Sequence, residues 1–318
     1  MEMPIDVVVC VHNRVDLTES CLRHLQAQTV DHHVIVVDDG STDETRVRVR
    51  AEWPAVELVS FDEKRGLPQA CNRGVSMGSG EIVVMLNNDV DCHPDFLERV
   101  REPLEEDPML GSVASLMLKP GGEAIDGIGL AADPILAGFP RLQGLPPRRA
   151  SDTMPVLLGP GGSAGTYRRT AWEDVCGLDE TVDAYMDDFD LAVRLRLAGW
   201  RTVAEPEAVG IHLGSATHGY RSAPQRHMAG VGRGYLMRRY GLLRGSTALR
   251  TLLTEAIVVG GDLLISRDLM ALRGRLMGWK AGRARPQLPF PPEESLDRTI
   301  NFRRSLAMRR GVYDLRPA

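Results

Sequence analysis

Three groups of acids in this 318-residue chain lie where apolar runs end or a helical pattern begins. Asp38 and Asp39 close the run HVIVV, and Asn87, Asn88 and Asp89 close EIVVML. Asp187, Asp188 and Asp190 open a stretch of helical periodicity, LAVRLRLAG, and His12 and Asn13 follow the first run, IDVVVCV. Carboxylates gathered in this way repel a diphosphate unless a divalent cation stands between them. Mg²⁺ or Mn²⁺ suits that place, because these hard ions take carboxylate and phosphate oxygens together. Other chemistries are excluded by what is missing. The first run leads into HNRVD rather than GxGxxG, which argues against a dinucleotide site. No GxxxxGK[ST] phosphate loop is present.

These acids need a frame that brings them to one edge. Ile5–Val11 is a continuous β-branched run, the pattern of a strand buried on both faces. Residues 17–28 carry Leu17, Cys21, Leu22 and Leu25 on one helical stripe. Further strands are predicted over 33–37, 56–61 and 81–86, with a helix over Leu67–Met77. Such alternation predicts right-handed crossovers and a parallel α/β sheet, in which ligands bind at the carboxyl ends of the strands. Residues 119–155, rich in Gly and Pro, are expected to form long loops or short strands of a substrate-binding excursion. Residues 156–169 read as strand, glycine loop, strand, and from about Arg221 the chain reads as helical and basic.

In order along residues 5–240, the pieces VCVHNR, VVDDGSTDET, Ala70-Cys71-Asn72-Arg73-Gly74, VVMLNNDV, GGSAGTYRR, GLDE, MDDFDLAVRLRLAGW and EAVGIHLGSATHG resemble the family 2 glycosyltransferases. These enzymes have the GT-A fold and use nucleotide sugars, and within them the likeness is to bacterial rhamnosyltransferase-like members of surface polysaccharide assembly. The resemblance implies an α/β fold: a GT-A domain over 1–220, with a Rossmann-like, mostly parallel central sheet flanked by helices, and a basic, mainly helical extension over 221–318. It implies that Asp39 accepts a hydrogen bond from a pyrimidine imide N–H and that Val11, His12 and Asn13 line the base pocket, with Arg65 and Asn88 in the donor site. Asp89 stands at the last acid of the family's DxD motif and, with His212, would hold a Mg²⁺ or Mn²⁺ ion. Asn87 and Asn88 replace the earlier acids, and Asp91 restores D-x-D only at a shifted register. Asp188, beside Asp187, corresponds to the base that deprotonates the acceptor hydroxyl. Gly162, Arg168 and Arg221 would contact acceptor or diphosphate, with Arg226 and Arg233 as further cations. Plainer roles stand beside these: Asp39 as a turn or N-cap acid, Asp187 and Asp188 as complements of a helix dipole, His212 as a buried structural histidine, Arg65 as a solvated cation, and Arg194 as an ion-pair partner.

The implied reaction is transfer with inversion from a nucleoside-diphosphate sugar to a saccharide, lipid-linked or small-molecule hydroxyl. dTDP-rhamnose is the leading donor and UDP-hexoses are the alternative. A catalytically silent nucleotide-sugar-binding partner module is the contrasting class. A nucleotidyltransferase would show a Gly-rich basic loop where HNRVD stands.

Composition sets the outer bounds. Hydrophobic residues make up 43% and charged residues 25%, as in ordinary globular proteins. Five scattered cysteines without a CxxC pair argue for a reducing compartment. MEMPID leads straight into an apolar strand without a signal-peptide pattern, and no run is long enough to span a bilayer. The expectation is a cytoplasmic protein, with peripheral attachment to the inner face of the membrane as the alternative, and with no nucleic-acid partner. Charge is unevenly spread: residues 221–318 hold 19 Lys and Arg against 7 Asp and Glu, and the rest of the chain is acidic. That balance suits an anionic partner or a solvated helical face. Leu269, Leu272, Leu276 and Trp279 share a helical face, which predicts packing on the domain or on a second subunit, with an interfacial membrane helix as the second reading.

Overall fold

Valines dominate β1 (Ile5–Val11) because both of its faces are buried. Val7 and Val9 enter one apolar cluster with Leu22, Leu25 and Phe96, while Val8 enters another with Ile35, Val37 and Trp172. A computed structural model describes residues 2–181, 185–214, 222–309 and 313. After β1 come α1 (Val15–Gln26), β2 (His33–Asp38), α2 (Thr45–Glu52), β3 (Glu57–Ser60), α3 (Leu67–Met77) and β4 (Ile82–Asn87). Strands β3, β2, β1 and β4 are neighbours in that order and all parallel, so the chain reverses its direction of travel across the sheet between β1 and β4. Such a reversal opens a crevice at the strands' carboxyl ends. The register aligns those ends: Val11 pairs with Asp38, and Cys10 with Asn87.

The second half of the sheet is mixed. β5 (Val90–Cys92), α4 (Phe96–Glu106) and β6 (Leu110–Leu118) lead to the short strands β7 (Ile125–Gly127), β8 (Leu130–Ala132) and β9 (Gly138–Pro140), as expected for the Gly- and Pro-rich segment. β10 (Ala164–Arg168) lies antiparallel between β4 and β6. After α5 (Arg169–Asp174) and α6 (Asp187–Leu197), β11 (Arg201–His212) runs parallel to β6, with β5 antiparallel on its far side. Upstream of β10, residues 156–163 form no strand, only a bridge from Gly159 to Leu130.

Four helices follow: α7 (Ala223–Arg239), α8 (Ala248–Ser266), α9 (Met270–Ala281) and α10 (Phe302–Met308). Tyr235 and Leu236 of α7 share a core cluster with Phe189 of α6 and Ala132 of β8. The face of α9 expected to pack does so only in part: Trp279 packs against the cluster of Tyr235 and Leu236, with Arg238 over its ring, and Leu272 is half-buried. Leu269, just before α9, and Leu276 are exposed, whereas Ala271, Gly274, Arg275 and Gly278 are buried. The cause is small-residue packing. Gly230 and Gly234 of α7 meet Gly274 and Gly278 of α9 so closely that a Cβ on Gly234 would lie 2.1 Å from the Arg275 carbonyl oxygen. Among the described residues, no helix is long and apolar enough to cross a membrane.

Candidate active site

A cleft of about 670 Å³ opens along the aligned strand ends, within the range of small-molecule sites. Val11, His12, Asp39, Asn88, Asp89, Gly162, Asp187, Asp188 and His212 all line it. Two of its walls rest on consecutive non-glycine residues with left-handed backbones: Asn13 and Arg14 before α1 (φ 62° and 64°), and Tyr185 and Met186 before α6 (φ 63° and 71°). Such conformations cost on the order of 1–3 kcal/mol each and persist where the surroundings over-determine them. On the α6 side, Gly232 of α7 supplies part of that restraint, because a Cβ there would lie 2.3 Å from the Tyr185 carbonyl oxygen.

Asp39 is buried at the end of β2, and its two carboxylate oxygens accept the backbone N–H groups of Arg65 (2.6 Å) and Gly66 (3.0 Å). A carboxylate has about four acceptor positions, so room remains for a further donor from the cleft. His12 Nδ1 lies 2.8 Å from the Asp39 carbonyl oxygen. Asn13 Oδ1 accepts the Thr42 N–H at 2.8 Å, which pins the two loops together. Arg65 offers the site its backbone. Its guanidinium lies 5.0 Å over the Phe61 ring, and Lys64 is the neighbouring cation that lines the cleft. Asp38 is structural, accepting from Arg46 Nε (2.7 Å) and the Ser41 N–H.

At the end of β4, Asn88 donates to Thr18 Oγ1 at 3.0 Å, while Asp89 is free to face His212 Nε2 at 3.5 Å. Asp91 is turned away, accepting from Ser20 Oγ (2.9 Å) and lying 3.2 Å from His24 Nδ1. The shifted D-x-D therefore does not converge. His212, at the end of β11, also reaches Asp126 Oδ2 through Nδ1 at 2.7 Å. Burial works against the imidazolium, but the hydrogen bonds to Asp126 and Asp89 overcome it and raise His212 to about 9. Asp89 and Asp126 thus favour positive charge here, carried by the ring's Nε2 proton or by a cation that takes that proton's place. Among the described residues, no group of three or more His, Cys, Asp or Glu forms a complete metal shell. One carboxylate and one imidazole fit an ion whose remaining positions are filled by water and substrate phosphate, the habit of Mg²⁺ and its hard congeners. Asp126 is the residue that motif reasoning missed. It stands alone in a Gly-rich segment, and only the fold carries it to His212.

Asp188 opens α6 with both oxygens held: the Phe189 N–H at 2.7 Å and, across the cleft, the Gly162 N–H at 2.8 Å. Burial raises its pKa despite these donors. Asp187 is pushed up to about 7, by burial first and then by the negative charge of Asp188. Asp190 points elsewhere, binding Arg194 Nε and the Tyr240 hydroxyl, each at 2.7 Å, so Arg194 is the ion-pair partner expected.

Three of the expected cations are engaged in other contacts. Arg168 lies at the opposite end of β10, paired with Ile82 at the start of β4, and donates to the carbonyls of Leu110, Leu104 and Asp107. Its distance from the cleft follows from the length of the strand. Arg233 is buried against Glu255 at 2.7 Å, and Arg226 pairs with Asp268. Arg221 lies outside the described residues.

Residues 6–173 match the family described as Glycosyl transferase family 2. Over 218 residues the chain is 28% identical to N-acetylglucosaminyl-diphospho-decaprenol L-rhamnosyltransferase of Mycobacterium tuberculosis (strain ATCC 25618 / H37Rv), covering 62% of this chain and 70% of the relative. It is 26% identical over 231 residues to O-antigen biosynthesis protein RfbC of Myxococcus xanthus, covering 70% of this chain and 18% of that one. Among solved structures, mannosyltransferase PcManGT from Pyrobaculum calidifontis, in complex with GDP-Man and Mn²⁺, superposes with TM-score 0.55 at 20% identity, over 91% of this chain and 77% of that one. GalNAc-T7 with UDP, GalNAc and Mn²⁺ gives TM-score 0.58 at 12% identity, over 75% and 48%. With its mixed sheet, flanking helices and carboxylates at aligned strand ends, the chain is an α/β protein of GT-A fold and belongs to glycosyl transferase family 2, the glycosyltransferase enzymes.

Proposed function

We propose that this glycosyltransferase moves a sugar, with inversion, from a pyrimidine nucleoside-diphosphate donor to a hydroxyl of a lipid-linked saccharide. Rhamnose from dTDP-rhamnose is the leading donor. The observation that carries the reading is the placement of Asp188, fixed by two backbone N–H groups in the same cleft as Asp39 and the Asp89–His212 pair. The donor sugar and the lipid-linked acceptor are drawn from the mycobacterial relative's name. The basic helical segment 221–318 buttresses a catalytic body of residues 1–220.

Asp39 would receive the imide N–H of the base, and the His12–Asn13 turn would flank the ring. Asp89 and His212 would hold a divalent cation, which supplies charge neutralisation for the departing diphosphate. Asp126 keeps the His212 ring oriented through Nδ1, the usual arrangement behind a ligating imidazole. Asp188 takes the acceptor's proton as its oxygen bonds to the anomeric carbon. The bond from that carbon to the diphosphate oxygen breaks on the opposite face, and the nucleoside diphosphate leaves with the electron pair. Gly162 keeps the Asp188 carboxylate from rotating away during this transfer.

The test is release of nucleoside diphosphate from a panel of nucleotide sugars with a polyprenyl-diphosphate saccharide as acceptor, with and without EDTA. Asp188→Asn is expected to bind donor normally and lose at least about 10²-fold in turnover, whereas Asp89→Ala should lose donor binding with Mn²⁺. Donor bound but never cleaved with any acceptor would instead identify a silent binding module, a reading favoured only by the two asparagines beside Asp89.

A further inference from the structure

α8 is turned inside out. Its buried residues are Thr251, Thr254 and Glu255, while Leu249, Leu252, Leu253, Ile257, Leu263 and Leu264 point to solvent. These leucines and Ile257 recur at the three- and four-residue spacing of a single helical face. The exposure is not marginal: Leu264 is 81% and Ile265 78% exposed. A Cβ built on Gly260 or Gly261 would meet nothing within 4 Å, so no other part of the described chain covers the middle of this helix. The polar inner face is held in place by Glu255, which accepts from Arg233 and Arg275 at 2.7 Å each. The orientation is therefore fixed by buried ion pairs. A contiguous apolar surface of this kind marks a contact with something apolar.

We propose that this face of α8, together with the outer side of α9, seats the protein on an anionic phospholipid bilayer. The argument for lipid over a second copy is charge. The outer side of α9 mixes Leu276 and Met277 with Arg273 and Lys280, and Arg244, Arg267 and Arg283 are exposed around it. The acids of the same two-helix unit are turned aside: Glu255 is buried, Asp262 is half-buried, and Asp268 is paired with Arg226. Two copies face to face would set these cations against one another, whereas anionic headgroups complement them while the leucines enter the acyl boundary. The corner between α8 and α9 is tied by the Arg226–Asp268 pair to the first turns of α7, whose Gln225 and Met228 line the cleft. The apolar corner at Leu264, Ile265 and Leu269 thus lies beside the cleft's lip, where a membrane-borne acceptor would arrive. This surface goes beyond the proposed reaction and does not depend on it.

Vesicle flotation of the full chain, without donor or acceptor, tests the seat separately from the chemistry. Vesicles containing phosphatidylglycerol should capture the protein, pure phosphatidylcholine should capture far less, and added salt should weaken the capture. The exposed double variant L253E/L264E, checked for an unchanged melting temperature, should lose at least about tenfold in partitioning. R273Q/K280Q should lose about 25-fold, a factor of about five for each cation removed. Absence of wild-type binding to anionic vesicles would overturn the proposal. So would a wild-type dimer that L253E/L264E turns into a monomer while vesicle binding stays unchanged.

Discussion

Asp187 and Asp188 share one helix start, and the fold leaves too little solvent for both to carry charge comfortably. Asp187 is pushed to about 7 by burial and by its neighbour, and Asp188 is raised as well. The groups around the pair are Tyr167, Cys71, Asp190 and the Arg194 that Asp190 engages. A base of this kind works only when deprotonated, so the acid limb of kcat should fall above that of an ordinary carboxylate. Asp187→Asn removes one of the two charges, so the remaining carboxylate ionises more readily and the limb should move to lower pH. A kcat profile between pH 5 and 9 on both proteins checks this, and an unmoved limb would assign the titration to another group. At this scale the sequence was legible where a motif spans a few residues, as in Asp39, Asp89 and Asp188. It misled at Arg168, because a residue four positions along an antiparallel strand sits over 10 Å from the edge where the strand begins. It was silent on Asp126, whose partner His212 is 86 residues away.

Helices and strands were easier to read than the faces they present. Strands β1, β2 and β4 and helix α3 stand where apolar periodicity puts them, because continuous β-branched runs have few alternatives once both faces are covered. α9 shows the limit. Its leucines suggested a packing face, yet the backbone contact between α7 and α9 is made by glycines, which carry no hydropathy signal. A Cβ at Gly278 would fall 1.9 Å from the Val231 carbonyl oxygen, an atom of helical backbone that cannot step aside. Gly278→Ala should therefore force the helices apart and cost about 2–3 kcal/mol, despite the better helix propensity of alanine. Gly260→Ala on α8, in open space, should stabilise by up to about 1 kcal/mol. Chemical denaturation of the two variants side by side separates close approach from propensity. Equal effects would mean that α7 and α9 are not in backbone contact.

For the whole molecule, the uneven charge along the chain resolves into two populations of arginine. Some surround the exposed face of α8 and α9, and others are spent inside. Glu255 collects Arg233 and Arg275, with Arg309 at 3.8 Å, and Arg233 also donates to the carbonyls of Ile135 and Leu136 in the segment that borders the cleft. One buried carboxylate therefore joins the C-terminal helices to the cleft wall. Burial alone would raise its pKa, but the arginines overcome that and hold it at about 2, against an ordinary 4.5. A carboxylate lowered in the folded state adds stability above its unfolded pKa, and that contribution disappears as pH falls from 4.5 towards 2. Glu255→Gln should accordingly cost about 3–5 kcal/mol at pH 7, because it strands buried guanidinium groups without a counter-charge. The gap between wild type and variant should narrow progressively below pH 4.5. Denaturation midpoints at pH 7, 5 and 3.5 read both effects at once. A gap that stays constant with pH would mean that packing, not charge, couples the C-terminal helices to the cleft.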